Sequence, residues 1–206
     1  MKYQAVRGMN DILPKDTPKW AYLEKVLRQF ASLYHFQEIR FPVLEETELF
    51  KRSVGESTDI VEKEMFSFVD REKNTDKPGA SLSLRPEGTA PCIRAGIEHG
   101  LWHNQFQKVW YMGQMFRHER PQKGRYRQFA QFGVEMVNFA TPESDVELIA
   151  FTAALWRRLG LTDVVTLEIN TLGHIDERTL YQKALVDYFK QHLDQLDVDS
   201  VKRLEK

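Results

Sequence analysis

The chain has 206 residues, of which 42% are hydrophobic and 29% are charged, and its net charge is −1. These values are typical of a globular protein with a real core, and they exclude a collagen-like or low-complexity chain. A single cysteine excludes an internal disulfide and favours a reducing compartment. No segment has the apolar run that a signal peptide or a membrane span requires, so we expect a cytoplasmic protein without a membrane partner.

The first quarter of the chain predicts a lead-in, a helix and a strand. Residues 5–14 are predicted to be ordered because apolar side chains there can pack: Val6, Met9, Ile12 and Leu13. A helix is predicted to begin with Thr17 as N-cap and Pro18 at the first helical position. Its apolar residues recur at spacings of three and four, which indicates a core-facing stripe: Trp20, Leu23, Leu27, Phe30 and Tyr34. A strand follows over Glu38–Val43, where Pro42 favours an edge or a bulge.

The middle of the chain predicts a series of short elements. They are helical turns over Leu49–Val54 and Asp59–Met65 around Gly55, strands over Phe66–Asp70 and Ser81–Arg85, and a helix over Thr89–His99. The polar loop Arg71–Ala80, with Pro78 and Gly79, is predicted to be the most mobile stretch of the chain.

Two long strands, Lys108–His118 and Arg127–Phe139, are predicted to form a hairpin around a loop that contains Pro121 and Gly124. Strand alternation gives the second strand an apolar face, which should pack on a helix: Ala130, Phe132, Val134 and Met136. The opposite face of the hairpin collects Arg127, Phe129, Gln131, Gly133 and Glu135 from one strand and Tyr111, Gly113, Met115, Arg117 and Glu119 from the other.

The polar face of the hairpin is a candidate ligand site. If the strand faces match, four polar side chains should converge over Gly113 and Gly133, where a ligand could approach the sheet: Arg117, Glu119, Gln131 and Glu135. Alternation alone is equally consistent with a solvated sheet face. Charge favours the site, because residues 117–127 carry five basic side chains against Glu119, a net of +4, and the rest of the chain carries −5. The loop is therefore predicted to bind an anion such as phosphate.

The last third of the chain predicts a helix, a strand and a second helix. The first helix opens at Thr141-Pro142-Glu143 and ends at Gly160, a strand spans Val164–Asn170, and an amphipathic helix spans Asp176–Leu196. The run Asp199–Lys206 is helix-prone and lacks a terminator, so we expect the natural sequence to continue. Histidines occur without metal-ligand spacing, and no protein metal ligand is predicted: His99, His103, His174 and His192.

Several stretches of this sequence resemble one enzyme family. Phe116-Arg117-His118-Glu119, the basic loop and Arg127-Gln128-Phe129 resemble motif 2 of class II aminoacyl-tRNA synthetases. Arg85-Pro86-Glu87-Gly88-Thr89, together with RGMNDILP and SVGESTDIVEKEMFSFVD, resembles the histidyl-tRNA synthetase family. Alone, the stretch around Glu87 is more typical of an ordinary first helical turn than of a ligand site. Beside the hairpin, the resemblance favours a ligand site.

The resemblance implies a fold and a domain organisation. It implies an α+β fold with a mainly antiparallel sheet flanked by helices, an incomplete class II synthetase catalytic core. Residues 1–206 would be the N-terminal portion of the catalytic domain, with motifs 1 and 2. Motif 3 and the anticodon-binding domain are expected to be absent from this chain. The match to motif 1, which builds a homodimer in the family, is loose because His35 stands where glycine is usual.

The same resemblance implies the reaction and the residues that carry it. The activity would be that of a histidine–tRNA ligase, which activates L-histidine with ATP and Mg²⁺ and transfers it to tRNA(His). Arg117 and Gln131 would be catalytic, and ATP would contact Arg117, Glu119, Arg125 and Phe129. Histidine would contact Glu87, Gly88, Thr89, Gln131 and Glu135. Ala130 replaces the usual histidine or tyrosine of the family; strand parity places it behind the site, where we expect altered packing.

Two alternatives remain at this level. A non-catalytic, synthetase-like regulatory subunit of ATP phosphoribosyltransferase in histidine biosynthesis would share the fold. Intact ligand residues such as Glu87, Arg117 and Glu135 argue for the ligase. A generic RNA- or nucleotide-binding module would explain the basic loop but not the two carboxylates. Because later parts of the family architecture are missing from the chain, we expect the fragment alone to be poorly active.

Overall fold

The computed structural model describes residues 3–55, 58–70, 79–171 and 173–204, without the side chains of residues 199, 202 and 203. The loop that was predicted to be mobile lies almost entirely outside these residues. Residues up to Leu161 form one compact unit, and residues from Thr162 onward form a second.

The helices of the first unit agree with the sequence patterns. They are α1 (Thr17–Leu33), α2 (Thr47–Val54), α3 (Thr89–Glu98) and α4 (Pro142–Arg158), with a π-helical turn over Ile60–Glu64. The predicted cap of α1 is wrong by one residue, because Asp16 occupies the N-cap position and Thr17 is already helical. The Thr17 hydroxyl donates to the carbonyl of Pro14 at 3.1 Å instead.

Six strands form two three-stranded sheets. The first sheet has the order β1-β5-β6, and the second has the order β2-β4-β3; the strands are β1 (Gln37–Glu38), β2 (Leu44–Glu46), β3 (Ser67–Val69), β4 (Ser81–Leu84), β5 (Gln107–Phe116) and β6 (Gln128–Val137). Strands β1 and β5 pair in parallel, and the other pairs are antiparallel. The mainly antiparallel α+β fold is therefore confirmed.

The single strand predicted over residues 38–43 is divided in the structure. Strand β1 ends at Glu38, and β2 begins only at Leu44. Pro42 has no N–H group and cannot donate to a sheet ladder. The carbonyls of Phe41 and Pro42 accept hydrogen bonds from the Arg85 side chain, at 2.9 and 3.2 Å.

The hairpin of β5 and β6 forms the centre of the first sheet. Its register places Tyr111 opposite Gly133, Gly113 opposite Gln131 and Met115 opposite Phe129. The apolar face packs against α1 and α4, as predicted, in a cluster that joins Phe132, Val134 and Met136 to Val26, Leu27, Phe151 and Leu155. Because a buried aliphatic or aromatic side chain contributes about 1.5–3 kcal/mol, this one-sided burial fixes the register.

The lead-in before α1 is ordered by backbone hydrogen bonds. The carbonyl of Gly8 accepts the N–H groups of Arg127 and Gln128, at 2.8 and 3.3 Å. The prediction that apolar side chains order this segment is wrong for three of the four, because Val6, Ile12 and Leu13 are exposed. The lead-in is therefore attached to the base of the basic loop.

We expect Gly8→Ala to destabilise the protein. Gly8 has a φ of +85°, and a Cβ there would lie 2.8 Å from Cγ of Pro121. A positive φ costs an alanine about 1–2 kcal/mol, and the collision adds to this cost. The melting temperature should therefore fall by more than about 4 °C. The matched control is Gly160→Ala, where φ is +71° but a Cβ meets no described atom within 4 Å. Equal losses in the two variants would contradict the packing of Gly8 on Pro121.

The second unit contains α5 (Ile175–Lys190), α6 (Val198–Leu204) and two 3₁₀ turns, Thr162–Val164 and Leu193–Gln195. The strand predicted over Val164–Asn170 is wrong. Most of the apolar residues there are exposed, namely Val164, Leu167 and Ile169, and in the described part of the chain they pair with no other strand. Alternation favours a strand only when a neighbour supplies the ladder. Helix α5 also ends earlier than predicted, at Lys190.

Candidate active site

Glu87 lies between the end of β4 and the first turn of α3. Its two carboxylate oxygens accept the backbone N–H groups of Thr89 and Ala90, at 2.6 and 2.9 Å. These N–H groups have no partner inside the helix, and a carboxylate is favoured at this end of the helix dipole. The ordinary first-turn interpretation is therefore confirmed. The same bonds fix the carboxylate, whose oxygens keep further lone pairs for a ligand.

Thr89 and Glu135 form the contact that joins α3 to the hairpin. The Thr89 hydroxyl donates to Oε1 of Glu135 at 2.8 Å, across 46 residues of sequence. The hydroxyl of Tyr111 donates to the same oxygen at 3.3 Å. Burial raises the pKa of Glu135, the charge of Glu87 raises it further, and these two hydrogen bonds oppose the rise. Two predicted histidine-binding residues are thus brought together.

The space over Gly113 and Gly133 is filled by protein side chains. A Cβ on Gly133 would lie 2.3 Å from Cζ of Tyr111, and a Cβ on Gly113 would lie 2.4 Å from Nη2 of Arg85. Gly88 lies under the same tyrosine ring, where a Cβ would come within 2.2 Å of Cε2. The prediction that a ligand approaches the sheet at the two glycines is therefore wrong. The glycines accommodate Tyr111 and Arg85, neither of which had been assigned a role.

Arg85 is a buried arginine that holds backbone carbonyls. Besides Phe41 and Pro42, it donates from Nε to the carbonyl of Gln114 at 3.0 Å. Its guanidinium also lies 5.0 Å from the centroid of the Phe41 ring. Arg85 therefore joins the end of β4 to the segment before β2 and to β5.

Arg117, Glu119 and Phe129 form the other end of the polar face. The guanidinium of Arg117 lies 5.3 Å from the centroid of the Phe129 ring. Its Nε donates to the carbonyl of Pro86 at 2.9 Å, which connects the hairpin to the strand end that carries Glu87. Its Nη1 lies 3.8 Å from the carboxylate of Glu119, and Nη1 of Arg125 lies 3.7 Å from the same group.

A cavity of about 500 Å³, a volume that suits a nucleotide, is lined by Arg117, Glu119, Arg125 and Phe129. Glu64, from the π-helical turn, also lines it and was not predicted. Burial raises the pKa of Glu64, and the charge of Glu119 raises it further. Ala130 is exposed and lines this cavity, so its predicted place in the packing behind the sheet is wrong. The apolar cluster behind the sheet includes Phe132 but does not extend to Ala130.

The predicted site residues form two groups on one sheet face. Phe129 and Glu135 are six residues apart on β6, about 20 Å at the usual rise of a strand. Gln131 lies between them, and its Oε1 is one of two buried side-chain atoms in the described part of the chain without a hydrogen-bond partner. A buried acceptor without a donor is unfavourable, and a bound ligand could supply the donor.

A second, mainly apolar cavity of about 560 Å³ lies between α2 and α3. Its wall includes Leu49, Val54, Ile93 and Ile97, and it reaches Glu87 and Thr89. Within the described ranges, no group of three or more His, Cys, Asp or Glu side chains could hold a metal ion. No helix among the described residues has the length and apolar character needed to cross a membrane.

Comparison with known proteins gives consistent matches. The family model described as Histidyl-tRNA synthetase matches residues 8–206. A structure of apo histidyl-tRNA synthetase from S. aureus is 36% identical over 98% of this chain and 46% of its own, with a TM-score of 0.73. A structure from Bacillus halodurans C, titled as an ATP phosphoribosyltransferase regulatory subunit/histidyl-tRNA synthetase, is 25% identical over 77% of this chain and 38% of its own (TM-score 0.63).

A histidyl-tRNA synthetase from Nostoc sp. PCC 7120 shares the fold, with a TM-score of 0.59 at 17% identity over 76% of this chain and 34% of its own. The mixed α+β fold is therefore that of an aminoacyl-tRNA synthetase catalytic core. Within that class, the chain belongs to the histidyl-tRNA synthetase family. The chain spans about half the length of the S. aureus structure.

Proposed function

We propose that this chain provides the ATP- and histidine-binding face of a histidine–tRNA ligase. The observation that carries the proposal is the hydrogen bond from Thr89 to Glu135, at 2.8 Å. It joins a helix start and a hairpin that the resemblance independently assigns to the same amino acid. The reaction is the activation of histidine by ATP to histidyl-adenylate, followed by transfer to tRNA(His).

The amino-acid end of the site suits a histidine molecule. The proton of the Thr89 hydroxyl is donated to Glu135, so its oxygen has lone pairs left for an α-ammonium group. Glu87 is held by backbone N–H groups and adds negative charge beside that ammonium. Glu135 accepts a hydrogen bond from the imidazole N–H. Gly88 has no side chain, so the backbone before α3 can lie close to the bound histidine. Gln131 lies towards the carboxylate that is activated.

The nucleotide end suits the phosphates and the adenine of ATP. Arg117 contacts the α-phosphate, and Arg125 reaches the β- and γ-phosphates from the loop. Phe129 stacks on the adenine ring. The Glu119 carboxylate accepts a hydrogen bond from the adenine amino group. The histidine carboxylate oxygen attacks the α-phosphorus, the bond to the pyrophosphate oxygen breaks, and pyrophosphate leaves. Arg117 stabilises the charge that develops, and the site supplies the alignment.

Mg²⁺ and tRNA complete the proposed reaction. The cavity carboxylate of Glu64, which has no assigned adenine contact, is the donor type that Mg²⁺ takes beside phosphate oxygens, so it would fit an ATP-bound ion. Basic residues of the loop 120–125 contact the acceptor stem, and this binding should weaken with added salt. We further propose a homodimer, as the resemblance to motif 1 implies, and a cytoplasmic location, which the single cysteine favours.

A second candidate is the non-catalytic regulatory subunit of ATP phosphoribosyltransferase. The similarity to the Bacillus halodurans C structure favours it, because that structure carries both descriptions. The presence of Arg117 and Arg125 beside Glu119, and of Thr89 beside Glu135, supports the ligase. A purely regulatory subunit has no need to keep both sets of ligand contacts.

The 206-residue chain alone should be folded and dimeric, should bind ATP weakly and should not charge tRNA measurably. The resemblance implies further ligand contacts outside this chain. Two or three charge-assisted contacts at about 1.5–3 kcal/mol each amount to several powers of ten in affinity. Light scattering would measure the oligomeric state, and calorimetry would measure ATP affinity. The longest natural chain that contains this sequence should show histidine-dependent ATP–pyrophosphate exchange.

The other amino acids serve as controls in that exchange assay. Full activity of the 206-residue chain would refute the proposed need for further contacts. An inactive longest chain that stimulates ATP phosphoribosyltransferase would favour the regulatory candidate instead.

A further inference from the structure

The two carboxylate oxygens of Glu135 have different surroundings. Oε1 accepts hydrogen bonds from Thr89 at 2.8 Å and from Tyr111 at 3.3 Å. Oε2 accepts none from the residues that the structure describes. Two donors occupy the lone pairs of Oε1, so a further donor would have to bind Oε2.

Tyr111 is the more rigid of the two donors. It is only 3% exposed, and its ring lies against Gly88 and Gly133. Its ring centroid also lies 5.2 Å from that of Phe41, in an edge-to-face contact. A tyrosine ring has two side-chain torsions, and both are fixed by this packing. The position of the hydroxyl oxygen is therefore determined by the fold.

The two glycines explain how the ring reaches Glu135. Gly133 is the cross-strand partner of Tyr111, and Gly88 immediately precedes α3. A Cβ on either residue would lie within about 2.3 Å of ring atoms. Both positions therefore need glycine, and the ring joins β5, β6 and the start of α3 at one point.

We propose that Tyr111 is a positioning residue that orients the carboxylate of Glu135 so that Oε2 alone faces the ligand. That the ligand donor is an imidazole N–H rests on the proposed function. In this arrangement Tyr111 does not touch the substrate. Its hydroxyl holds Oε1, and Glu135 accepts one N–H group in one direction.

The charge of Glu135 depends on the same hydroxyl. The groups that face this carboxylate are Glu87 before α3, Thr89 and the buried Cys92 thiol on α3, and Tyr111 on β5. Burial raises the pKa of Glu135, and the bonds from Thr89 and Tyr111 lower it. Without the Tyr111 hydroxyl, the folded-state pKa of Glu135 should rise further. The carboxylate would then be protonated at a higher pH, and it would stop accepting a ligand proton there.

The first test measures this coupling without a ligand. Tyr111→Phe keeps the ring and removes only the hydroxyl, and Tyr22→Phe, at an exposed position of α1, is the matched control. A ¹³C titration of the glutamate carboxyls, with Glu135 assigned through Glu135→Gln, reports the pKa in the 206-residue chain. We expect a higher pKa of Glu135 in Tyr111→Phe and no change in Tyr22→Phe. An unchanged pKa in Tyr111→Phe would overturn the inference.

The second test uses pyrophosphate exchange in the longest natural chain. Tyr111→Phe should raise KM for histidine about tenfold, as expected for one hydrogen bond to a charged group, with KM for ATP unchanged. The acid limb of the histidine KM profile should also move to higher pH. Equal KM values for histidine in Tyr111→Phe and the parent would overturn the inference and leave the proposed function intact. Absence of histidine-dependent exchange in the parent would overturn the proposed function, and with it the identity of the ligand.

Discussion

Arg117→Ala is expected to lower the rate of histidine-dependent ATP–pyrophosphate exchange by roughly 10²–10³, the scale for losing one preorganised donor at a developing charge. Two contacts hold Arg117 beside the cavity proposed for ATP, one with the Phe129 ring and one with the carbonyl of Pro86. Because the guanidinium is already oriented, it can stabilise charge on the α-phosphate without reorganisation. The measurement is made in the longest natural chain that contains this sequence.

Two further variants separate charge from geometry in this prediction. Arg117→Lys keeps a positive charge but loses the planar guanidinium, so we expect an intermediate loss. Arg158→Ala, at an exposed position near the end of α4, is the matched control and should exchange at the parental rate. A parental rate in Arg117→Ala would remove Arg117 from the mechanism.

Glu135→Gln is expected to weaken histidine binding by about 10–100-fold while ATP binding stays within about twofold. The amide oxygen can still accept from Thr89 and Tyr111 at Oε1. The amide nitrogen then replaces the charged Oε2 and presents a donor to the imidazole N–H, so a charge-assisted bond worth about 1.5–3 kcal/mol is lost. Calorimetry with each ligand, in the longest natural chain, measures both affinities.

Glu135→Gln has nearly the same shape as the parent residue, so the packing around Tyr111 should be preserved. Glu24→Gln, on the exposed side of α1, removes the same charge away from the site and should leave both affinities unchanged. Equal losses of histidine and ATP affinity in Glu135→Gln, or no loss, would assign Glu135 to structure.

Much of the first unit was predictable because its signals are local. The apolar spacing of Leu23, Leu27 and Phe30 follows from the pitch of a helix, and α1 presents these residues to the core. The two faces of β6 follow from strand alternation, and one-sided burial sets the register. The strand predicted over residues 164–170 failed for the complementary reason, since a strand depends on a partner that alternation does not specify.

The sequence predicted which residues belong to the candidate site, but it did not predict how they are arranged along the sheet. Strand parity placed Arg117 and Glu135 on one face, and both lie there in contact with the Glu87 segment. It did not indicate that the two residues belong to separate ends of that face. Arg117 lies beside Arg127, eight residues from Glu135 on β6, which is roughly 26 Å by strand rise. Strand parity defines the face of the sheet on which a side chain lies. The distance between residues on different strands depends on the pairing register.

The sequence alone determined the helices, the hairpin and the residue types of the site, because periodicity and turn chemistry act between near neighbours in the chain. The tertiary structure decided what occupies the space above the glycines. The Arg85 guanidinium covers Gly113, 28 residues further along the chain, and Tyr111 covers Gly88 and Gly133. A glycine in the sequence indicates only that a side chain is not tolerated at that position. The side chain that fills the room comes from another strand, and only packing between distant segments brings it to that position.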